Sequence, residues 1–111
     1  MIKARTYFLV CLMCLGTMPL RAETVAFQWH APQAQKVQLY TSFNQWQPVL
    51  LAKHPSGIWR LELDLPVGRY EYVYLVDQQW TPDPDKPLIS DGLGGSNNLI
   101  YISKQVVGGI N

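Results

Sequence analysis

The sequence predicts an all-β fold, an immunoglobulin-like antiparallel β-sandwich of six to eight short strands. Three observations carry this. Apolar and polar residues alternate with period two through several separate runs, the pattern of a strand with one buried face. No run shows the three-to-four spacing of an amphipathic helix. Turn formers punctuate the chain closely, with 8 Gly and 8 Pro in 111 residues, which suits short strands joined by turns.

The chain opens with a basic start, "MIKAR", then an apolar stretch, "TYFLVCLMCLGTMPL", then "RA". That order predicts a secretory signal peptide over residues 1–22, cleaved after Ala22. Its apolar run is shorter than the ~20 residues a membrane-spanning helix needs. The expected product is exported, periplasmic or secreted, with no membrane contact after signal cleavage. It comprises one domain over residues 23–104 and a C-terminal tail over 105–111. Cys11 and Cys14 leave with the leader, so packing alone must hold the mature domain. Lys3, Arg5 and Arg21 leave too, while all 8 acids stay, so the mature balance is mildly acidic without a basic run. Such a surface excludes nucleic acid as a partner.

The strands follow in order. "TVAFQWH" puts Val25, Phe27 and Trp29 on one face and Thr24, Gln28 and His30 on the other. After "APQAQ", "KVQLYT" aligns Val37 with Leu39. "SFNQW" (Ser42 to Trp46) then reads as a polar turn ending in an aromatic ring. "IWRLELDL" is the clearest alternation, with Trp59, Leu61, Leu63 and Leu65 inward and Arg60, Glu62 and Asp64 toward water. "PVG" supplies a tight turn, and "RYEYVYLV" returns as the second arm of a hairpin. That strand carries Tyr70, Tyr72, Tyr74 and Val76 on one face. Its other face holds Val73 and Leu75, so it is either covered on both sides or presents an apolar patch. "DQQWTPDPDKPLISDGLGGSNN" reads as a long loop, a length that often signals function. "LIYIS" closes the fold.

Four tryptophans remain in the mature chain. Trp29 and Trp59 stand in register with other apolar residues and belong to the core. Trp46 and Trp80 lie outside any alternation. Each is either an anchor folded onto the core or an exposed platform, and position alone leaves both readings open. An exposed indole would suit a sugar, because its flat apolar face covers pyranose C–H bonds while its N–H still donates. Asn97 and Asn98 are of a type that more often forms turns than binds ligands.

Signals for catalysis are poor. Asp83, Asp85 and Asp91 cluster, and paired carboxylates can hydrolyse glycosides, but two of them flank Pro84 in a turn-like "DPD". They do not follow the calcium-loop pattern. His30 and His54 are isolated, and no nucleophile is suggested. No enzyme activity, no metal and no cofactor is expected.

Several motifs in order carry a resemblance: F-x-W in "VAFQWH", S-F-N-x-W, W-x-x-x-L-x-L-P-x-G-x-Y-x-Y, V-D-x-x-W, D-P-x-x-P and a closing N-N. Across residues 24–103 the chain resembles the glycogen-binding module of AMP-activated protein kinase β subunits. It equally resembles the N-terminal modules of isoamylases and glycogen branching enzymes, carbohydrate-binding module family 48. The resemblance implies an early-set β-sandwich that binds an α-1,4-linked glucan, as polysaccharide or oligosaccharide, without catalysis. It implies sugar-stacking roles for Trp46 and Trp80, insertion into the glucan coil for Leu93, and a sugar contact for Asn97. A partner of another kind is also implied, a separately encoded glucan-active enzyme or other protein. The alternative function is a regulatory or protein-interaction sandwich that no longer binds glucan. Four positions depart from the pattern. A binding lysine is replaced by Val73 and a threonine by Gly95, while glycines of two turns are replaced by Thr41 and Gln78.

Overall fold

A computed structural model describes residues 22–104. The expected leader, apart from Ala22, and the expected tail 105–111 lie outside the described residues. Nine strands follow one another: β1 (Ala22–His30), β2 (Val37–Thr41), β3 (Val49–Leu50), β4 (Ala52–Lys53), β5 (Ile58–Pro66), β6 (Gly68–Val76), β7 (Gln79–Thr81), β8 (Leu88–Ser90) and β9 (Ser96–Ile102). One turn of 3-10 helix, Ser42–Asn44, separates β2 from β3.

The strands form two antiparallel sheets. One runs β1-β5-β4, and the other runs β3-β2-β6-β9-β8 with β7 added to β6. The longest ladder, β1 with β5, brings Trp29 opposite Trp59 and Phe27 opposite Leu61. These are the two runs whose alternation is cleanest, and facing residues of an antiparallel pair share a side of the sheet. Strand β6 is the hub. It meets β2 along Tyr72 to Val76 and β9 along Gly68 to Tyr72, with β7 taking the Tyr74 to Val76 stretch. Because β2 holds one edge of β6, β9 and β7 share the other in succession.

The core lies where the sheets face each other. Phe27, Val37, Leu39, Leu51, Trp59, Leu65, Tyr72, Tyr74 and Ile102 make one buried cluster. Phe27 of the first sheet meets Tyr72 of the second edge-on at 5.0 Å between centroids. Trp29 is only partly buried and lies 5.4 Å from Tyr74. The Trp59 indole N–H donates to the Ala31 carbonyl at 2.9 Å, so its one polar atom is satisfied inside. Burial pushes the Tyr72 phenol up to about 12, and the nearby Asp83 carboxylate adds to the rise. Burial raises the Tyr74 phenol as well, assisted by Tyr72 and Asp83.

Two expectations change, and one open alternative is decided. The strand number exceeds six to eight, because two- and three-residue strands are too short to show a period. The long loop is not structureless: β7 and β8 lie within it, and Trp80 is a strand residue paired with Leu75. Val73 and Leu75 are covered, at 5% and 9% exposure, so β6 is buried on both faces.

Candidate functional site

What covers Val73 and Leu75 is an aromatic layer on the outer face of the second sheet. Tyr40 pairs with Val73 across β2 and β6, and Trp80 pairs with Leu75 across β6 and β7. Opposite residues project to the same side, so all four share that outer face. Tyr40 and Trp80 meet above the strand, centroids 4.8 Å apart at 74°. This edge-to-face geometry suits the ring quadrupoles. The alternation in "KVQLYT" already set Tyr40 opposite Val37 and Leu39. With the apolar outer face of β6 it was a usable signal for Tyr40, which the motif reading missed.

Trp46 reaches the same region from a local turn. Thr41 ends β2 extended, and its Oγ1 accepts from the Phe43 N–H at 3.2 Å, capping the 3-10 turn. Extended torsions need no glycine, which accounts for Thr41 at that position. Ser42 Oγ accepts from the Glu71 N–H at 3.0 Å and ties the turn to β6. Gln45 and Trp46 then take left-handed torsions, φ 60 and 63, and the Trp46 N–H returns to the Thr41 carbonyl at 2.9 Å. A bulky residue there is strained. The result is an indole 39% exposed rather than folded into the core. Trp80 is 59% exposed.

Leu93 tips the loop between β8 and β9, at 90% exposure. Gly92 and Gly94 flank it with φ 78 and 94, torsions that glycine adopts freely. Asp91 Oδ1 accepts the Leu93 and Gly95 N–H groups at 2.7 and 2.9 Å, closing the loop. Asn97 is not in a turn but in β9, where its Nδ2 donates to Glu71 Oε1 at 3.1 Å. That bond fixes the amide and leaves its oxygen as the group offered to a ligand. Asn98, fully buried, plays a different part. Its Oδ1 accepts from the Asp83 N–H at 2.7 Å, and its Nδ2 donates to the Asp83 and Pro87 carbonyls at 2.8 and 3.2 Å. Asn98 thus ties down the chain leading from β7 to β8.

These parts enclose one broad cavity of about 780 Å³, whose lining includes Tyr40, Trp46, Val73, Trp80, Leu93 and Asn97. All four residues singled out by the motifs therefore come together. Asp91 also lines it and was missed as a site residue, since "SDG" reads as turn grammar. Asp83 and Asp85 do not join it; Asp83 Oδ1 accepts from the Asp85 N–H at 3.0 Å within their own turn. Two indoles, an exposed leucine and an amide suit a ligand with alternating apolar faces and hydroxyl edges.

The chain is similar to known proteins over most of its length. The family model for the glycogen recognition site of AMP-activated protein kinase matches residues 23–107. The chain is 36% identical over 86 residues to 5'-AMP-activated protein kinase subunit beta-1 of Rattus norvegicus, covering 78% of this chain and 31% of that one. It is 37% identical over 84 residues to the beta-1 subunit of Sus scrofa, covering 76% and 67%. The beta-2 subunit of Mus musculus is 32% identical over 84 residues, covering 76% and 31%. The chain thus spans about a third of the rat subunit's length. On the match across nearly all its described residues, the chain belongs to the family of the glycogen recognition site of AMP-activated protein kinase.

Proposed function

We propose that this domain binds α-1,4-linked glucan, without catalysis, on the outer face of its second sheet. The observation that carries the reading is the convergence of exposed Trp46, Trp80 and Leu93 on one cavity. The two indoles stack on pyranose faces, Leu93 enters the curve of the chain, and Asn97 accepts a hydroxyl proton through its amide oxygen. Aromatic contacts add about 0.5–1.5 kcal/mol each beyond burial. A single site then binds in roughly the micromolar to millimolar range, and a polymer presenting many sites raises retention.

Native electrophoresis of the purified protein in gels with and without glycogen tests this. Retardation by glycogen that vanishes in Trp46→Ala and Trp80→Ala is expected. Unchanged mobility of the wild type would sink the reading.

The basic start, apolar run and "RA" end support export of the domain, to a periplasm or to the medium. Cell fractionation, with a mature mass starting at Glu23, is the expected outcome; full-length protein in the cytoplasm would count against it. A binding domain with no reaction of its own acts by holding polymer for a separate protein. Relatives named as kinase subunits support a protein partner of this kind.

A further inference from the structure

We propose that the Asp91 carboxylate is a sugar-recognition group of the cavity, one that accepts hydroxyl protons and selects neutral over anionic glucan. This rests on the glucan reading above. Among the described residues, Asp91 is the one charged residue lining the cavity. Its two oxygens differ: Oδ1 holds the loop through the Leu93 and Gly95 N–H groups, while Oδ2 lies beside Gly95. A Cβ built at residue 95 would stand 2.8 Å from Oδ2. The three glycines of this loop therefore serve different ends. Gly92 and Gly94 have open space around them and left-handed torsions, whereas Gly95 has ordinary torsions and no room. Glycine at 95 makes the space that the carboxylate fills.

The chemistry follows from that placement. Among the described residues no cation lines the cavity, and Asp91 enters neither of the ion pairs found there. A carboxylate oxygen lining a largely apolar cavity is a strong acceptor for hydroxyl groups. It also repels a phosphate or carboxylate carried on the sugar. Rigidity helps, since the Oδ1 bonds hold the group in place before the ligand arrives.

Titration calorimetry at low salt with maltoheptaose, and with maltoheptaose bearing a phosphate monoester, tests the proposal. The wild type is expected to prefer the neutral sugar by about ten-fold. Asp91→Asn keeps an Oδ1 acceptor for the loop and removes the charge. It should weaken maltoheptaose binding by roughly five- to ten-fold and bring the two ligands close to parity. Gly95→Ala approaches the same oxygen from the other side, with a methyl that displaces it. Maltoheptaose affinity should fall several-fold there too. Unchanged maltoheptaose affinity in either variant, or an unchanged preference in Asp91→Asn, would overturn the role of Asp91. Absence of binding of either sugar by the wild type would instead overturn the glucan reading itself.

Discussion

Tyr40 and Trp80 meet over the middle of β6, edge to face at 4.8 Å, although they belong to strands on its opposite edges. The contact gives Trp80 a support that its own three-residue strand does not provide. Removing it should therefore loosen the indole without unfolding the sandwich. Tyr40→Ala is expected to weaken maltoheptaose binding by roughly three- to ten-fold, the equivalent of about 0.5–1.5 kcal/mol for an aromatic pair. Tyr40→Phe keeps the ring and should bind as the wild type does. Calorimetry on the pair separates ring support from loss of the hydroxyl.

Trp59 should part from Trp46 and Trp80 when each is truncated. Trp59 is 7% exposed within the core and donates to Ala31. Trp59→Ala should cost about 3–5 kcal/mol, as large core truncations do. Trp46→Ala and Trp80→Ala remove exposed rings and should stay within about 1 kcal/mol. Urea unfolding of the three variants checks the contrast; a small loss at Trp59 would contradict its core position.

Asn98 joins the sandwich to the loop that carries the site. Asn98→Ala would leave the Asp83 N–H without its acceptor, while the Asp83 and Pro87 carbonyls keep the Lys86 and Leu99 N–H groups. A cost of about 1–3 kcal/mol is expected for the donor left unpaired and the packing lost. Asn98→Asp preserves size and the acceptor to Asp83 but sets a carboxylate oxygen against the Asp83 and Pro87 carbonyls at a fully buried position, so its loss should exceed that of Asn98→Ala. Urea unfolding should rank wild type, Asn98→Ala and Asn98→Asp in that order.

The sequence made the long strands legible and left the short ones hidden. β1, β2, β5 and β6 have enough residues for alternation to register, and one face of each packs inward. β7 has three residues and follows a turn without glycine, so Trp80 looked like a loop residue. The outer face of β6 stayed ambiguous for a physical reason: a strand covered on both sides loses its alternation. Trp46 and Trp80 could be singled out by motif order, but their meeting with Leu93 and Asn97 depends on pairings between distant strands. Asp91 was hidden more deeply, because its role follows from space at Gly95 that only coordinates reveal.

The turn before β7 carries a testable strain. Asp77 and Gln78 both have positive φ, 45 and 72, the torsions of a two-residue hairpin turn that favours Asp-Gly. Asp77 is fixed there, because its carboxylate accepts the Gln35 and Lys36 N–H groups at 2.9 Å while its own N–H reaches the Lys36 carbonyl at 3.0 Å. Gln78 has no such compensation among the described bonds. Left-handed torsions cost a side-chain-bearing residue about 1–2 kcal/mol, of which glycine returns roughly half through its freer unfolded chain. Gln78→Gly should therefore stabilise the domain by about 0.5–1 kcal/mol and leave glucan binding unchanged. Thermal unfolding and calorimetry together check both halves.

Tyrosine burial sets an alkaline limit on the fold. The Tyr72 phenol is raised from 10.0 to about 12, first by desolvation and then by the Asp83 charge. Tyr74 is raised in the same sense. A raised folded value means that the folded state keeps a proton that the unfolded chain releases. The stabilisation is therefore complete below pH 10 and is lost progressively as pH climbs through 12. For Tyr72 alone the loss at pH 11 is on the order of 1 kcal/mol. Tyr72→Phe retains the ring that meets Phe27 at 5.0 Å but has nothing to ionise. Its stability should fall less steeply above pH 10 than the wild type's. Every other group is common to the two proteins, so the difference between the curves isolates the phenol. Urea midpoints measured from neutral pH upward check this, and parallel curves would mean that Tyr72 ionises as freely folded as unfolded.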